Sequence, residues 1–209
     1  MRVELIAVTP DPEKLIEQAG RTSYLSFDRQ SEGSEKKFIK MIIKRGHTSV
    51  LEHASATFRI SGVSRALTHQ LVRHRFSSIT QQSQRYVDET NFDYVEPDDI
   101  KVNPKTHRIF TELMERIKLD YKKLRNMRIR KEDARFILPN ATKSELVISA
   151  NFREWRHIIE LRGDPAAQWE IRELTVRLLE ELKKKAPTVF GDFIVNEEKD
   201  IVRVKEEND

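Results

Sequence analysis

The stretch RHRFSSITQQSQRY, residues 73–86, decides how this chain is read. It holds three arginines, one histidine, three serines and three glutamines in fourteen positions, with no acidic residue and no lysine. A solvated surface helix more often mixes glutamate with lysine. Arginine presents a planar fork of donors that matches phosphate oxygens, which lysine cannot do. Hydroxyls and amides add neutral partners for a polar ring. The mixture suits a grip on a phosphate and a flat polar heterocycle, and glutamate there would repel the phosphate.

Composition bounds what can be built around that stretch. The 209 residues suffice for one domain with a sizeable core and are short for two, so residues 1–209 are expected to form a single domain. Charged residues make up 34% and hydrophobic ones 38%, and no apolar run approaches the ~18 residues of a membrane span. The opening MRVELIAVTPDPEK offers no small-residue cleavage site, so no signal peptide is read and the cytoplasm is the expected compartment. Cysteine is absent, which excludes disulfides, thiolate metal sites and a covalent cysteine mechanism together. A net charge of +4 fits an anionic partner, either nucleic acid or a small phosphorylated ligand. The six glycines are scattered, so no G-x-G-x-x-G and no P-loop exists. Side chains must do what a glycine-rich turn does elsewhere.

Periodicity gives an α+β chain. Strands are expected at 3–9, 54–62 and 145–151. Helices are expected at 11–23, 34–46, 63–75, 105–127, 131–138 and 152–162, with a last one that begins after Gly163 and closes at Pro187. Asp11 reads as an N-cap with Pro12 in the first turn. Residues 76–84 read as a loop, and the charged tail 196–209 as extended or frayed.

Several positions can carry chemistry. On helix 63–75 Gln70 and Arg73 are three apart and so share a face, and Arg73, His74 and Arg75 end it as a basic rim. A solvated helix end suits the same cations. Ser83 and Arg85 follow. A Ser83–His74 nucleophile–base pair would make a hydrolase, but spacing alone does not establish it. Ser49-x-x-Glu52 reads as a capping box. His47, His53, His69 and His74 lack metal-ligand spacing, so no metal is expected. Arg153 and His157 are four apart on one helix face, with Asn151 at its start, and Arg135 and Arg162 lie nearby in sequence. Trp155 and Trp169 read as core. The basic balance also permits a nucleic-acid-binding module, although these arginines sit among Ser, Gln and His rather than in a Lys/Arg stripe.

Arg73-His74-Arg75, Ser78 and Ser83-x-Arg85 together fit RHRxxSxxxxSxR. In this the chain resembles the flavin-dependent thymidylate synthases. GHTSVLEH (46–53), ARFILP (134–139) and NFREWRHIIELRGDPAAQWEIR (151–172) resemble further segments of that family. The resemblance implies reductive methylation of dUMP to dTMP, with 5,10-methylenetetrahydrofolate as carbon donor, FAD as hydride carrier and NADPH as reductant. No protein nucleophile is involved, which agrees with the missing cysteine. It implies an α+β fold with a mostly antiparallel sheet flanked by long helices. It further implies a homotetramer with active sites between subunits, and neither nucleic acid nor membrane as partner. By position, the family pattern puts Gln70, Arg73, Gln81, Gln82, Ser83, Gln84, Arg85, Arg135 and Arg162 on dUMP. It puts Ser49, Arg73, His74, Arg75, Asn151, Arg153 and His157 on FAD. Arg162 is the residue implied in catalysis, set against the uracil.

Overall fold

The computed structural model describes residues 1–205. Its helices are α1 (Pro12–Thr22), α2 (Ser34–Lys44), α3 (Arg65–Leu71), α4 (Asp98–Lys101), α5 (Pro104–Asn126), α6 (Lys131–Ala134), α7 (Phe152–Gly163) and α8 (Trp169–Lys185). Its strands are β1 (Arg2–Val8), β2 (Ser55–Ser64), β3 (Ser77–Gln81), β4 (Lys143–Asn151), β5 (Phe193–Asn196) and β6 (Ile201–Val204). The four long strands pair in the order β1–β2–β4–β3 within an antiparallel sheet, and β5 pairs antiparallel with β6. The α+β class is as expected.

The chain forms two compact units that interleave in sequence. The first comprises residues 1–2, 60–72 and 80–146, and the second 3–59, 73–79 and the described residues from 147 onward.

The first unit carries α3 to α6. Ser64 caps α3, its side chain accepting the Leu67 N–H at 3.0 Å. Asn103 does the same for α5, accepting from Lys105 N–H at 2.9 Å. Only Met114 and Tyr121 of the 23-residue α5 are buried, so most of that helix is a polar surface. Leu67, Leu71, Phe92 and Ala134 add to this unit's buried set.

The second unit holds the larger core. Trp155 and Phe152 of α7 are fully buried. Trp155 meets Phe58 of β2 edge-on at 5.1 Å, and its indole N–H donates to the Ala56 carbonyl at 3.0 Å. Phe152 meets Phe190 at 5.2 Å. This pins one face of α7 and fixes which side chains the other face presents. Ile171, Leu174, Leu178 and Leu182 of α8 complete the layer at the i, i+3, i+4 spacing of an apolar stripe. Glu13, in the first turn of α1, accepts from the Thr188 and Val189 N–H groups at 2.6 and 3.1 Å.

Several local expectations need correction. α3 stops at Leu71 and not at 75, with Val72 as its C-cap. Arg73 therefore lies outside the helix, and the shared-face argument for Gln70 and Arg73 does not apply. Residues 77–81 form a strand where a loop was expected. The Ser49–Glu52 capping box is not formed: Thr48–His53 is a 3-10 helix with His47 at its N-cap position. Asp11 holds the N-cap position of α1, but its side chain makes no capping bond. Of the tail, expected as extended or frayed, Ile201–Val204 is extended as a strand. Val195 pairs with Val202 and Asn196 with Ile201, and Val202 is buried. The rest of that expectation, residues 206–209, lies outside the described residues.

Candidate functional site

A cleft of about 700 Å³ opens in the second unit, lined by Arg73, His74, Arg75, Phe76, Asn151, Arg153, His157 and Arg162, together with Glu52, Glu154 and Leu161. Two local structures build it. The first is the turn that follows α3, held by Ser77, whose N–H and Oγ both bond the His74 carbonyl, at 3.3 and 2.5 Å. The second is α7, which starts where it does because the Asn151 side chain accepts the Glu154 N–H at 2.9 Å. Burial of Phe152, Trp155, Ile158 and Ile159 turns Arg153, His157 and Leu161 outward.

His74 is the fixed centre. It is only 4% exposed. Its Nε2 stands 2.9 Å from Arg162 Nε, and its Nδ1 stands 3.4 Å from Glu154 Oε1. An arginine Nε can only donate, so His74 Nε2 must accept and the ring is neutral with its proton on Nδ1. Burial, then the charge of Arg162, then His157 pull the His74 pKa from 6.5 to about 4. The ring also meets His157 edge-on at 5.7 Å. Burial raises the Glu154 pKa, which His157 opposes. Burial, with Arg73 second, lowers that of Arg162. At the cleft's rim Arg153 Nη1 pairs with Glu52 Oε1 at 2.6 Å, both side chains about half exposed.

Seven residues expected at the site thus meet in one cleft: Arg73, His74, Arg75, Asn151, Arg153, His157 and Arg162. Ser49 is exposed and does not line it. The others belong to the first unit. Gln70 donates to the Ala66 carbonyl at 3.4 Å. Gln81 Nε2 donates to Thr68 and Ser144 at 2.9 and 3.1 Å. Gln82 donates to Glu89 at 3.1 Å. Ser83 Oγ accepts the Arg85 N–H at 3.3 Å, and Gln84 is buried. Arg85 stands 3.5 Å from Glu132 and over the Tyr86 ring. Arg135 donates to the Glu132 carbonyl at 3.1 Å.

Of the cleft lining, sequence reasoning missed Glu52, Phe76, Glu154 and Leu161. Glu154 was hidden between Arg153 and Trp155, although it is three residues from His157 and so on its helix face. Arg65 of α3, missed as well, lies near enough to Arg135 for that charge to lower its pKa, second to burial and against the pull of Glu89. Two guanidiniums held close suit a phosphate.

A cleft with four arginines against two carboxylates, beside two histidines and a capping asparagine, offers the cations and polar donors that suit an anionic ligand with polar rings. It forms in an α+β chain that holds no cysteine and no glycine-rich loop. Residues 4–188 match the family model described as thymidylate synthase complementing protein. The flavin-dependent thymidylate synthase of Geobacter sulfurreducens is 42% identical over 200 residues, covering 92% of this chain and 86% of that protein. That of Pyrococcus furiosus is 43% identical over 195 residues, covering 88% and 80%. The crystal structure of the Helicobacter pylori flavin-dependent thymidylate synthase complexed with FAD and dUMP superposes with a TM-score of 0.77 at 25% identity, covering 92% of this chain and 99% of that one. The chain belongs to the flavin-dependent thymidylate synthase family.

Proposed function

We propose that this protein converts dUMP to dTMP, taking the one-carbon unit from 5,10-methylenetetrahydrofolate and its electrons from NADPH through FAD, with no protein nucleophile. The observation that carries the reading is the arginine–histidine cleft in a cysteine-free chain. Its residues fit a flavin dinucleotide: a pyrophosphate needs cations, and no glycine-rich turn is there to supply backbone donors. Arg73, His74, Arg75, Asn151, Arg153 and His157 would hold FAD, with Ser49 from the neighbouring 3-10 helix. When bound, FAD supplies hydride chemistry.

Gln70, Arg73, Gln81, Gln82, Ser83, Gln84, Arg85, Arg135 and Arg162 would bind dUMP, with Arg65 beside Arg135 at the phosphate. Arg162 would face the uracil and stabilise negative charge that develops on the ring during attack on the carbon donor. Because His74 is neutral and accepts from Nε, it directs Arg162 without adding a second positive charge. Ser83 positions and does not attack.

Residues 1–209 would act as one domain within a homotetramer whose active sites lie between subunits, in the cytoplasm. Among the described residues no helix is long and apolar enough to cross a membrane.

The test is an absorbance spectrum of the purified protein, followed by NADPH oxidation with and without dUMP. Flavin bands and oxidation that speeds up with dUMP are expected, and methylenetetrahydrofolate should then yield dTMP. Arg162→Ala should lower dUMP binding and turnover, the latter by about 100-fold, while flavin stays bound. A colourless protein that takes up no added FAD refutes the assignment.

A further inference from the structure

We infer that Glu154 is a positioning residue: it holds the His74 ring with its proton on Nδ1, keeps Nε2 open to Arg162, and thereby fixes how the Arg162 guanidinium is presented to the cleft. The inference rests on the reading of Arg162 as the uracil contact.

The geometry is specific. Glu154 is the third residue of α7, where a capping carboxylate would fold back toward the backbone N–H of Asn151. Its Oε1 instead stands 3.4 Å from His74 Nδ1. Both side chains are nearly buried, at 8% and 3% exposed, so water is a poor substitute partner for either. Neutral imidazole has one N–H and one lone pair. Arg162 Nε is a donor in every protonation state, and at 2.9 Å it needs that lone pair on Nε2. The ring N–H must then be on Nδ1, and Glu154 Oε1 stands at ion-pair range from it, beyond the ~2.7–3.2 Å of a formed hydrogen bond. Either the carboxylate or the carbonyl oxygen of a protonated carboxyl attracts that N–H. An apolar residue at 154 removes the oxygen. The ring can then flip or change tautomer, and a proton on Nε2 would face the Arg162 N–H. The arginine would have to turn away.

The test uses the FAD-loaded protein as wild type and as Glu154→Gln, Glu154→Leu and Arg162→Ala. Calorimetry gives the dUMP Kd, flavin absorbance gives occupancy, and ¹⁵N-histidine NMR reads the His74 tautomer. Glutamine keeps an oxygen acceptor, so E154Q should keep the Nδ1–H form and a dUMP Kd within about threefold of wild type. E154L should weaken dUMP about tenfold when measured at saturating FAD, and lose the Nδ1–H form. A dUMP Kd in E154L equal to wild type, with R162A weakened, overturns the role of Glu154 alone. A wild-type Kd in R162A overturns the reading of Arg162, and the positioning role with it. Should E154L fail to fold, wild type still decides: a His74 proton found on Nε2 overturns the inference.

Discussion

Replacing His74 by glutamine should flatten the acid limb of the protein's stability curve. The imidazole has an ordinary pKa of 6.5 and is held at about 4 in the folded state, by burial first and by the charges of Arg162 and His157 after it. Below pH 6.5 the unfolded chain takes up a proton that the folded chain refuses. The sign follows: His74 contributes nothing above pH 6.5, and stability falls as pH drops from there toward 4. The gap of about 2.5 units is worth about 3 kcal/mol at about 1.4 kcal/mol per unit, with about 2–3 kcal/mol of it lost by pH 4.5. Glu154 works the other way, since its raised pKa makes the folded state the better proton binder as pH falls. Because its Oε1 stands 3.4 Å from His74 Nδ1, the comparison is made in a Glu154→Gln background, which removes its titration from both proteins. Glutamine can offer Oε1 to Arg162 where His74 offers Nε2, which keeps the local hydrogen bond. Urea unfolding of Glu154→Gln with and without His74→Gln at fixed protein concentration, from pH 7 to 4.5, measures the difference. Curves that stay parallel within about 0.5 kcal/mol would refute a buried, neutral His74. The corollary for binding is that Arg162 keeps its acceptor throughout pH 6.5–8, so His74 causes no change in dUMP affinity there.

Three further outcomes are expected. Trp155→Ala removes a fully buried indole and its bond to Ala56, and should cost about 3–5 kcal/mol in denaturant unfolding. Gly163→Ala puts a Cβ 2.6 Å from Val202 Cβ; overpacking of about 1–3 kcal/mol should outweigh the helix-propensity gain, and Val202→Gly in the same chain, which removes that Cβ, should recover part of it in a double-mutant cycle. Glu52→Gln should change stability by less than about 1 kcal/mol, because the ion pair it breaks is half exposed, but should tighten FAD about threefold in equilibrium dialysis by releasing Arg153 from a competing carboxylate.

What could be read from sequence followed from local chemistry. The stripe of Phe38, Ile39, Ile42 and Ile43 gave α2, and Gly46 at φ +70° lies just past its end. Asn151 before Phe152 gave the start of α7, and the spacing of Arg153 and His157 placed them together on its cleft side. The family pattern drew together the seven cleft residues. What stayed hidden depends on partners distant in the chain. Helical periodicity ran on to Arg75, but Leu71 is the last residue of α3, and Ser77–Gln81 joins β4 in the sheet. Strand pairing of that kind has no local signal. The hairpin of β5 and β6 was concealed by the charged turn Glu197-Glu198-Lys199-Asp200, which separates two strands of only four residues each. Glu154 was invisible as a site residue because its meaning comes from His74, eighty positions away.

The cleft draws its walls from three separated runs of chain: Glu52, then Arg73–Phe76, then Asn151–Arg162. During synthesis the first two emerge early and have nothing to close against. Meanwhile residues 80–146 leave the ribosome as one uninterrupted piece of the first unit, able to begin local folding. The ligand-binding surface cannot exist until the third run arrives. The bonds from Glu13 to Thr188 and Val189 come later still. A nascent chain stalled before residue 150 would therefore expose Phe58 without Trp155 to cover it, and would have no cleft to be rescued by ligand. Release of the last quarter of the chain is the moment at which this protein becomes able both to bury its larger core and to bind.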